Sequence, residues 1–151
     1  MEGLGCTFVN ETPRAIPEDF LRAVARSAMR HEGVEGELTV LIVAEEKMRE
    51  LNKQFRGIDE ATDVLSFPEA EAPRENFPQQ NTEKRVYLGE IAVCPALLRI
   101  PEGKDERYEL AHVVVHGTFH LMGRHHEHSE GAHKELHELE ERIIEGVESS
   151  L

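Results

Sequence analysis

Residues 116–126 read His-Gly-Thr-Phe-His-Leu-Met-Gly-Arg-His-His, with histidines at 116, 120 and 126 and a glycine at 123. On a helix, His116 and His120 leave the same face about one turn apart, as two imidazoles meeting one metal ion require. Gly123 is free to take a positive φ, so it ends the helix and lets the chain fold back to bring His126 to the same ion. Three neutral imidazoles with a fourth position open to water describe a catalytic zinc site rather than a closed structural one. Imidazole ligands also suit nickel, copper and iron, so another divalent transition metal fits the same pattern.

The spacing also follows H-E-x-x-H-x-x-G-x-x-H, the pattern of one class of zinc protease, with one departure. Position 117 is glycine where those proteases carry a glutamate base. Without a carboxylate to move a proton from water to a leaving amine, peptide hydrolysis is disfavoured. A metal still lowers the pKa of its water toward about 7, so hydrolysis of a substrate with a better leaving group stays open.

The chain holds nine histidines, five of them within 116–128 (His116, His120, His125, His126 and His128), so pairs at metal spacing arise by chance here. His125 competes with His126 as third ligand, and the register favours His126. His133 and His137 also stand four apart, but Leu136, Leu139 and Ile143 claim the buried face of their helix, which puts both on the solvated side. Cys6 and Cys94 are isolated, and no C-x-x-C suggests a thiolate site.

A length of 151 residues suits one domain with a core that needs no disulfide or metal to hold it. Two distant cysteines, nothing like a signal peptide and no long apolar run predict a cytoplasmic protein without a membrane segment. Seventeen basic against thirty acidic side chains give a net charge of −13, which argues against indiscriminate nucleic-acid binding. The excess is uneven. Residues 127–151 hold eight glutamates against Lys134 and Arg142, whereas acidic and basic groups cancel over 14–56. Arg22, Arg26 and Arg30 recur every four residues and would line one helix, a stripe that is commonly a solvated face but that a polyanion would suit.

The elements that must position the histidines follow from periodicity. A short strand is expected over 4–9, then a helix opened by Pro17 that buries Phe20, Leu21, Val24, Ala25 and Ala28 and ends before Gly33. Residues 37–43 form a central strand, 45–54 a short helix around Met48 and Leu51, 63–67 a strand stopping at Pro68, and 86–93 a fourth strand. The polar, proline-containing stretch 69–85 reads as a mobile loop. The metal-bearing helix runs over about 105–122, and an amphipathic helix over about 129–147. The fold class is α+β: a single domain with a small mixed sheet of about four strands, four to five helices, and the metal site on a helix and the turn after it. Strand order is not readable.

These segments resemble the YbeY family of metal-dependent endoribonucleases. Its pattern H-G-x-L-H-L-x-G-Y-D-H is matched by H-G-T-F-H-L-M-G-R-H-H, which places the implied metal ligands on His116, His120 and His126. Upstream, Leu51-Asn52 and Phe55-Arg56 followed by Thr62-Asp63-Val64-Leu65-Ser66-Phe67-Pro68 is similar to L-N-x-x-[FYW]-R and T-[DN]-V-L-S-F-P. Leu88-Gly89-Glu90-Ile91 resembles the family's G-D-I strand, and Ala111-His112 matches its Ala-His. The likeness runs over residues 38 to about 130 in four ordered blocks. Arg124 and His125 replace Tyr-Asp, Phe119 replaces Leu, and Glu90 replaces Asp. The lost aspartate is the weightiest departure, because a carboxylate beside a ligand orients its imidazole or accepts a proton.

The resemblance implies a single YbeY-like domain over 1–151 that hydrolyses phosphodiester bonds of single-stranded RNA in ribosomal RNA maturation and ribosome quality control. It implies one zinc ion and, as partners, ribosomal RNA and the ribosome or its associated proteins, with neither DNA nor a membrane. Catalysis then falls to His116, as a ligand, and to Arg56, whose guanidinium fork would pair with two phosphate oxygens. The structural alternative for Arg56 is a tie between the loop and a carboxylate. His112 and His125 are candidates for the shell behind the ligands or for a proton acceptor, and Asp63 and Ser66 are expected to fix the turn and strand. Two other readings are a noncatalytic, metal-stabilised ribosome-associated factor and a zinc hydrolase of peptides or amides.

Overall fold

A computed structural model describes residues 5–69, 86–123 and 130–150. Strand β1 (Cys6–Asn10) is followed by α1 (Glu18–His31), β2 (Gly36–Ile42), α2 (Glu45–Arg56), β3 (Val64–Pro68), β4 (Val86–Val93), α3 (Glu106–Leu121) and α4 (Glu130–Ser150), with one 3₁₀ turn at Pro95–Leu97. The architecture is α+β, as expected, with each sequence-derived boundary within a few residues of its element. The predicted mobile loop falls almost wholly outside the described residues, as do His125 and His126.

The sheet order is β1-β2-β4-β3. β2 runs parallel to both β1 and β4, and β3 runs antiparallel to β4. Parallel neighbours need a crossover, which α1 supplies between β1 and β2. Every residue of β2 is buried, as a central strand covered on both faces requires.

Alternation along the strands divides the core. Leu38, Val40, Ile42, Ile91 and Val93 face the side packed by α1, α3 and α4. Leu41, Val43, Phe67, Ala92 and Cys94 face Met48 and Leu51 of α2. Helix α3 is thus sandwiched between the sheet and two other helices, and it buries residues around most of its circumference, including Leu110, Val113, Val114, Val115, Phe119 and Leu121. Asp105 caps its start by accepting from the Tyr108 amide at 2.9 Å.

The basic stripe expected along α1 is partly consumed by the fold. Arg22 donates to the Cys6 carbonyl at 3.1 Å and to Asp19 at 3.0 Å. Both cysteines are buried, and burial pushes the Cys6 thiol well up, against the opposing charge of Arg22.

Candidate metal centre

Helix α3 carries one stripe of imidazoles. His112, His116 and His120 succeed each other at one-turn spacing, with ring centroids 6.2 Å apart for the first pair and 4.4 Å for the second. The stripe ends where the helix does. Gly123, at φ 84°, donates its amide to the His120 carbonyl at 2.9 Å and so closes the helix end. The structure therefore brings His116 and His120 together on the last two turns, while the third expected ligand lies outside the described residues.

A residue that sequence reasoning overlooked completes the arrangement. Glu140, on α4, is 2% exposed, and its carboxylate reaches both ends of the stripe's first pair: Oε1 lies 3.1 Å from His112 Nε2 and Oε2 lies 2.6 Å from His116 Nδ1. A buried carboxylate is costly unless paired, and here two imidazoles pair it. The signal was legible, because Glu140 falls on the apolar stripe formed by Leu136, Leu139, Ile143, Ile144 and Val147. A glutamate on such a stripe needs a partner across the interface.

The groups around this pair form a continuous polar seam between α3 and α4. Glu109 Oε2 lies 3.5 Å from His112 Nδ1. Tyr108 stacks on His112 at 6.1 Å and donates its hydroxyl to Glu141 at 3.2 Å. His137, expected on the solvated face, is 48% exposed, yet its ring stands edge-on to His112 at 5.4 Å and its Nδ1 is 3.9 Å from Glu140. His137 is thus exposed, as expected of the solvated face, and lies one position past the apolar Leu136, close enough to the helix interface for its ring to join the seam. His112, His137 and Glu140 each offer a ligand atom within 4.8 Å of the others.

Charge in the seam follows from this geometry. Burial disfavours the His112 cation, but the Glu109 and Glu140 carboxylates outweigh it and hold the imidazole up at about 9. Burial likewise pushes the Glu140 carboxyl up, and the His112 and His116 hydrogen bonds overcome it and hold it down at about 2. In the metal-free protein, a folded pKa near 9 against about 6.5 in the unfolded chain makes the His112 contribution complete below pH 6.5 and lost as pH rises through 9. The slope is at most about 1.4 kcal/mol per pH unit. The Glu140 contribution has the opposite sign, complete above about 4.5 and lost as pH falls through about 2. Thermal melts of chelator-treated protein from pH 6 to 9 should show a falling midpoint that His112→Gln flattens. An equal fall in that variant would mean that another group titrates.

Arg56 ends α2 and bridges to the sheet edge. Its Nη2 donates to the Ser66 carbonyl at 2.7 Å, and its guanidinium sits 5.4 Å over the Phe67 ring. The Asp63 carbonyl accepts from the Cys94 amide, and the Glu69 amide donates to the Leu88 carbonyl, so the backbone groups of odd-numbered residues along β3 point toward β4. The Ser66 carbonyl thus points outward, on the edge strand. Arg56 thereby ties the end of α2 to a backbone carbonyl of the edge strand. Asn52, of the same sequence block, donates to the Glu60 carbonyl at 2.9 Å and so fixes the connection into β3.

Ser66 pairs with Ile91 across β3 and β4, and Ile91 packs directly on Gly117. A Cβ built on Gly117 would stand 2.8 Å from Ile91 Cδ1, 3.1 Å from Cγ1 and 3.2 Å from Cγ2. The glycine between the two histidines is therefore where the metal-bearing helix touches the sheet, and no larger side chain fits there without displacing Ile91.

The donor set fits a divalent transition metal. Glu140 carboxylate oxygens only accept, so His116 Nδ1 is the donor of their hydrogen bond and Nε2 is the nitrogen it would offer an ion. Among the described residues, no helix is long and apolar enough to cross a membrane.

The family described as Endoribonuclease YbeY matches residues 7–148. The protein named Endoribonuclease YbeY from Halorhodospira halophila is 38% identical over 148 residues, covering 95% of this chain and 92% of that one. Its namesake from Azorhizobium caulinodans is 36% identical over 132 residues, covering 83% and 78%. The solution structure of TM1509 from Thermotoga maritima is similar with a TM-score of 0.59 at 28% identity, covering 96% of this chain and 90% of that chain. With a match that takes in nearly all of its length, then, the chain belongs to the endoribonuclease YbeY family.

Proposed function

We propose that this protein is a metal-dependent endoribonuclease that holds one zinc ion through His116, His120 and His126 and cleaves single-stranded regions of ribosomal RNA during maturation and ribosome quality control. The observation that carries the reading is the pair of imidazoles 4.4 Å apart on the last turns of α3, just ahead of the positive-φ Gly123, in a chain whose relatives are named endoribonucleases. The bound ion would supply Lewis-acid polarisation of a phosphate oxygen and a nucleophile from water near neutral pH. The alkoxide leaving group of a phosphodiester needs less proton assistance than an amine, which suits a site lacking a carboxylate at 117.

In this reading, His116 and His120 hold the ion and Arg56 engages the substrate's phosphate. Arginine presents parallel N–H groups matched to two phosphate oxygens, and Phe67 and the Ser66 carbonyl restrict where that guanidinium goes. Part of the RNA affinity would come from the ribosome or ribosome-associated proteins, because the net charge of −13 repels a free polyanion. Such a role belongs to the cytoplasm.

The test is cleavage of a single-stranded ribosomal RNA fragment by protein of measured zinc content, beside chelator-treated and Arg56→Ala protein. Chelation should abolish cleavage and zinc should restore it. Arg56→Ala should lower kcat/KM roughly 10²-fold with zinc content unchanged. Its stability should fall by roughly 1–2 kcal/mol, since the bond to the Ser66 carbonyl and the contact with Phe67 are lost. Arg56→Lys keeps the charge and loses the fork, so it should recover little. Cleavage that survives chelation and both substitutions would belong to a contaminant, and the protein would then be a noncatalytic factor.

A further inference from the structure

We propose that Glu140 is a positioning residue for the metal centre, fixing the tautomer and ring orientation of His116, and that His112 holds Glu140 in place rather than binding the ion. The proposal rests on the reading of His116 as a metal ligand. Glu140 comes from a different helix, is almost wholly buried, and places Oε2 2.6 Å from His116 Nδ1. An ionised carboxylate accepts only, so Nδ1 must carry the proton and Nε2 must be the basic nitrogen. The hydrogen bond makes that nitrogen a stronger donor to a metal and removes the freedom of the ring to flip.

Glu140 is itself held. Its other oxygen lies 3.1 Å from His112 Nε2, and the opposite nitrogen of His112 faces Glu109 at 3.5 Å. With a carboxylate facing each of its ring nitrogens, His112 is engaged by Glu140 and Glu109 rather than presented to an ion. Leu136 and Leu139 before Glu140 and Ile143 after it anchor α4 against α3, so the carboxylate arrives on a packed helix rather than a loop. Thus the carboxylate absent beside the third expected ligand, where His125 stands, has a counterpart on α4 acting on the first.

The competing use of the same atoms is a second ion held by His112, His137 and Glu140, whose ligand atoms lie within 4.8 Å of one another. The direct His112–Glu140 contact already occupies two of the three groups, so one ion per chain is expected.

The full-length protein, stripped and titrated with zinc against a chromophoric chelator, tests this without an RNA assay. Circular dichroism of each metal-free variant checks the fold. Parent protein should bind one equivalent. His116→Ala should lose that binding, and His137→Ala should keep it at parental affinity. Glu140→Ala should weaken zinc affinity about 10–100-fold. Glu140→Gln should recover part of the loss, since its amide oxygen still accepts from Nδ1, and the cobalt-loaded spectrum should shift in the alanine variant. If Glu140→Ala does not fold, Glu140→Gln decides alone, with an expected loss of at least about threefold.

Affinity within twofold of parent in the Glu140 variants, while His116→Ala loses zinc, overturns the positioning role and leaves the metal site standing. Parental affinity in His116→Ala removes the metal reading of that residue and the proposal with it. Two equivalents in the parent, reduced to one by His137→Ala, assign Glu140 to a second ion and overturn the proposal.

Discussion

His120→Ala is expected to lose zinc by roughly 10³-fold or more in affinity, beyond the 10–100-fold typical of an outer partner, and to lose RNA cleavage with it. His120 stands on the last turn of α3 with its ring 4.4 Å from that of His116, so its removal takes away half of the chelating pair supplied by the helix. The fold should survive. Alanine is a better helix former than histidine, and α3 is held by Leu110, Val114, Val115 and Phe119, which the substitution does not touch. Zinc content after gel filtration, read beside circular dichroism, separates loss of the ion from loss of the fold. Stoichiometric zinc and undiminished cleavage in a folded His120→Ala protein would remove His120 from the site. The contrast with Arg56→Ala, which should keep its zinc and lose cleavage, distinguishes holding the ion from engaging the phosphate.

Gly117→Glu, which restores the residue of the zinc-protease pattern, is expected to cost more than about 3 kcal/mol and to confer no peptidase activity. Ile91 is fully buried and meets the Cβ position of Gly117 with three of its carbons, so even a methyl group must displace it. Overpacking of that kind costs about 1–3 kcal/mol, and a carboxylate at the same buried position adds its desolvation. Gly117→Ala should lie between, the steric cost partly offset by about 1 kcal/mol of helix propensity. Adding Ile91→Val, which removes the nearest carbon, should return part of the stability. Denaturant melts measure these differences. A Gly117→Glu protein as stable as the parent and active on peptides would show that the contact yields freely. Otherwise the glutamate is excluded by the seating of α3 on the sheet, and the peptidase reading loses its geometric basis.

Much of this site was legible in one dimension. The spacing of His116 and His120 and the glycine at 123 are local features, governed by helix pitch and by the φ that only glycine takes without strain. They appear in the fold as the spacing predicts, and His126 continues a pattern that the described residues do not reach. The helices and strands were legible for the same reason, since each buried stripe is written at period 3.6 or 2.

Arg56 illustrates a middle case. Its family block marked it, but its bond to the outward-facing Ser66 carbonyl depends on β3 being an edge strand, which no local pattern states. Glu140 is the opposite case. It is one of eight glutamates after residue 126, and only its place on the α4 apolar stripe sets it apart. What it touches lies 24 and 28 residues earlier.

The sequence by itself determined the elements, their buried faces and the imidazole pair, because these follow from interactions among residues a few positions apart. Tertiary structure alone decided that β4 inserts between β2 and β3, that Ile91 closes the space at Gly117, and that a buried carboxylate from α4 reaches His116. Each depends on which surfaces meet after distant segments pack, and close packing leaves few arrangements in which all of them are satisfied at once.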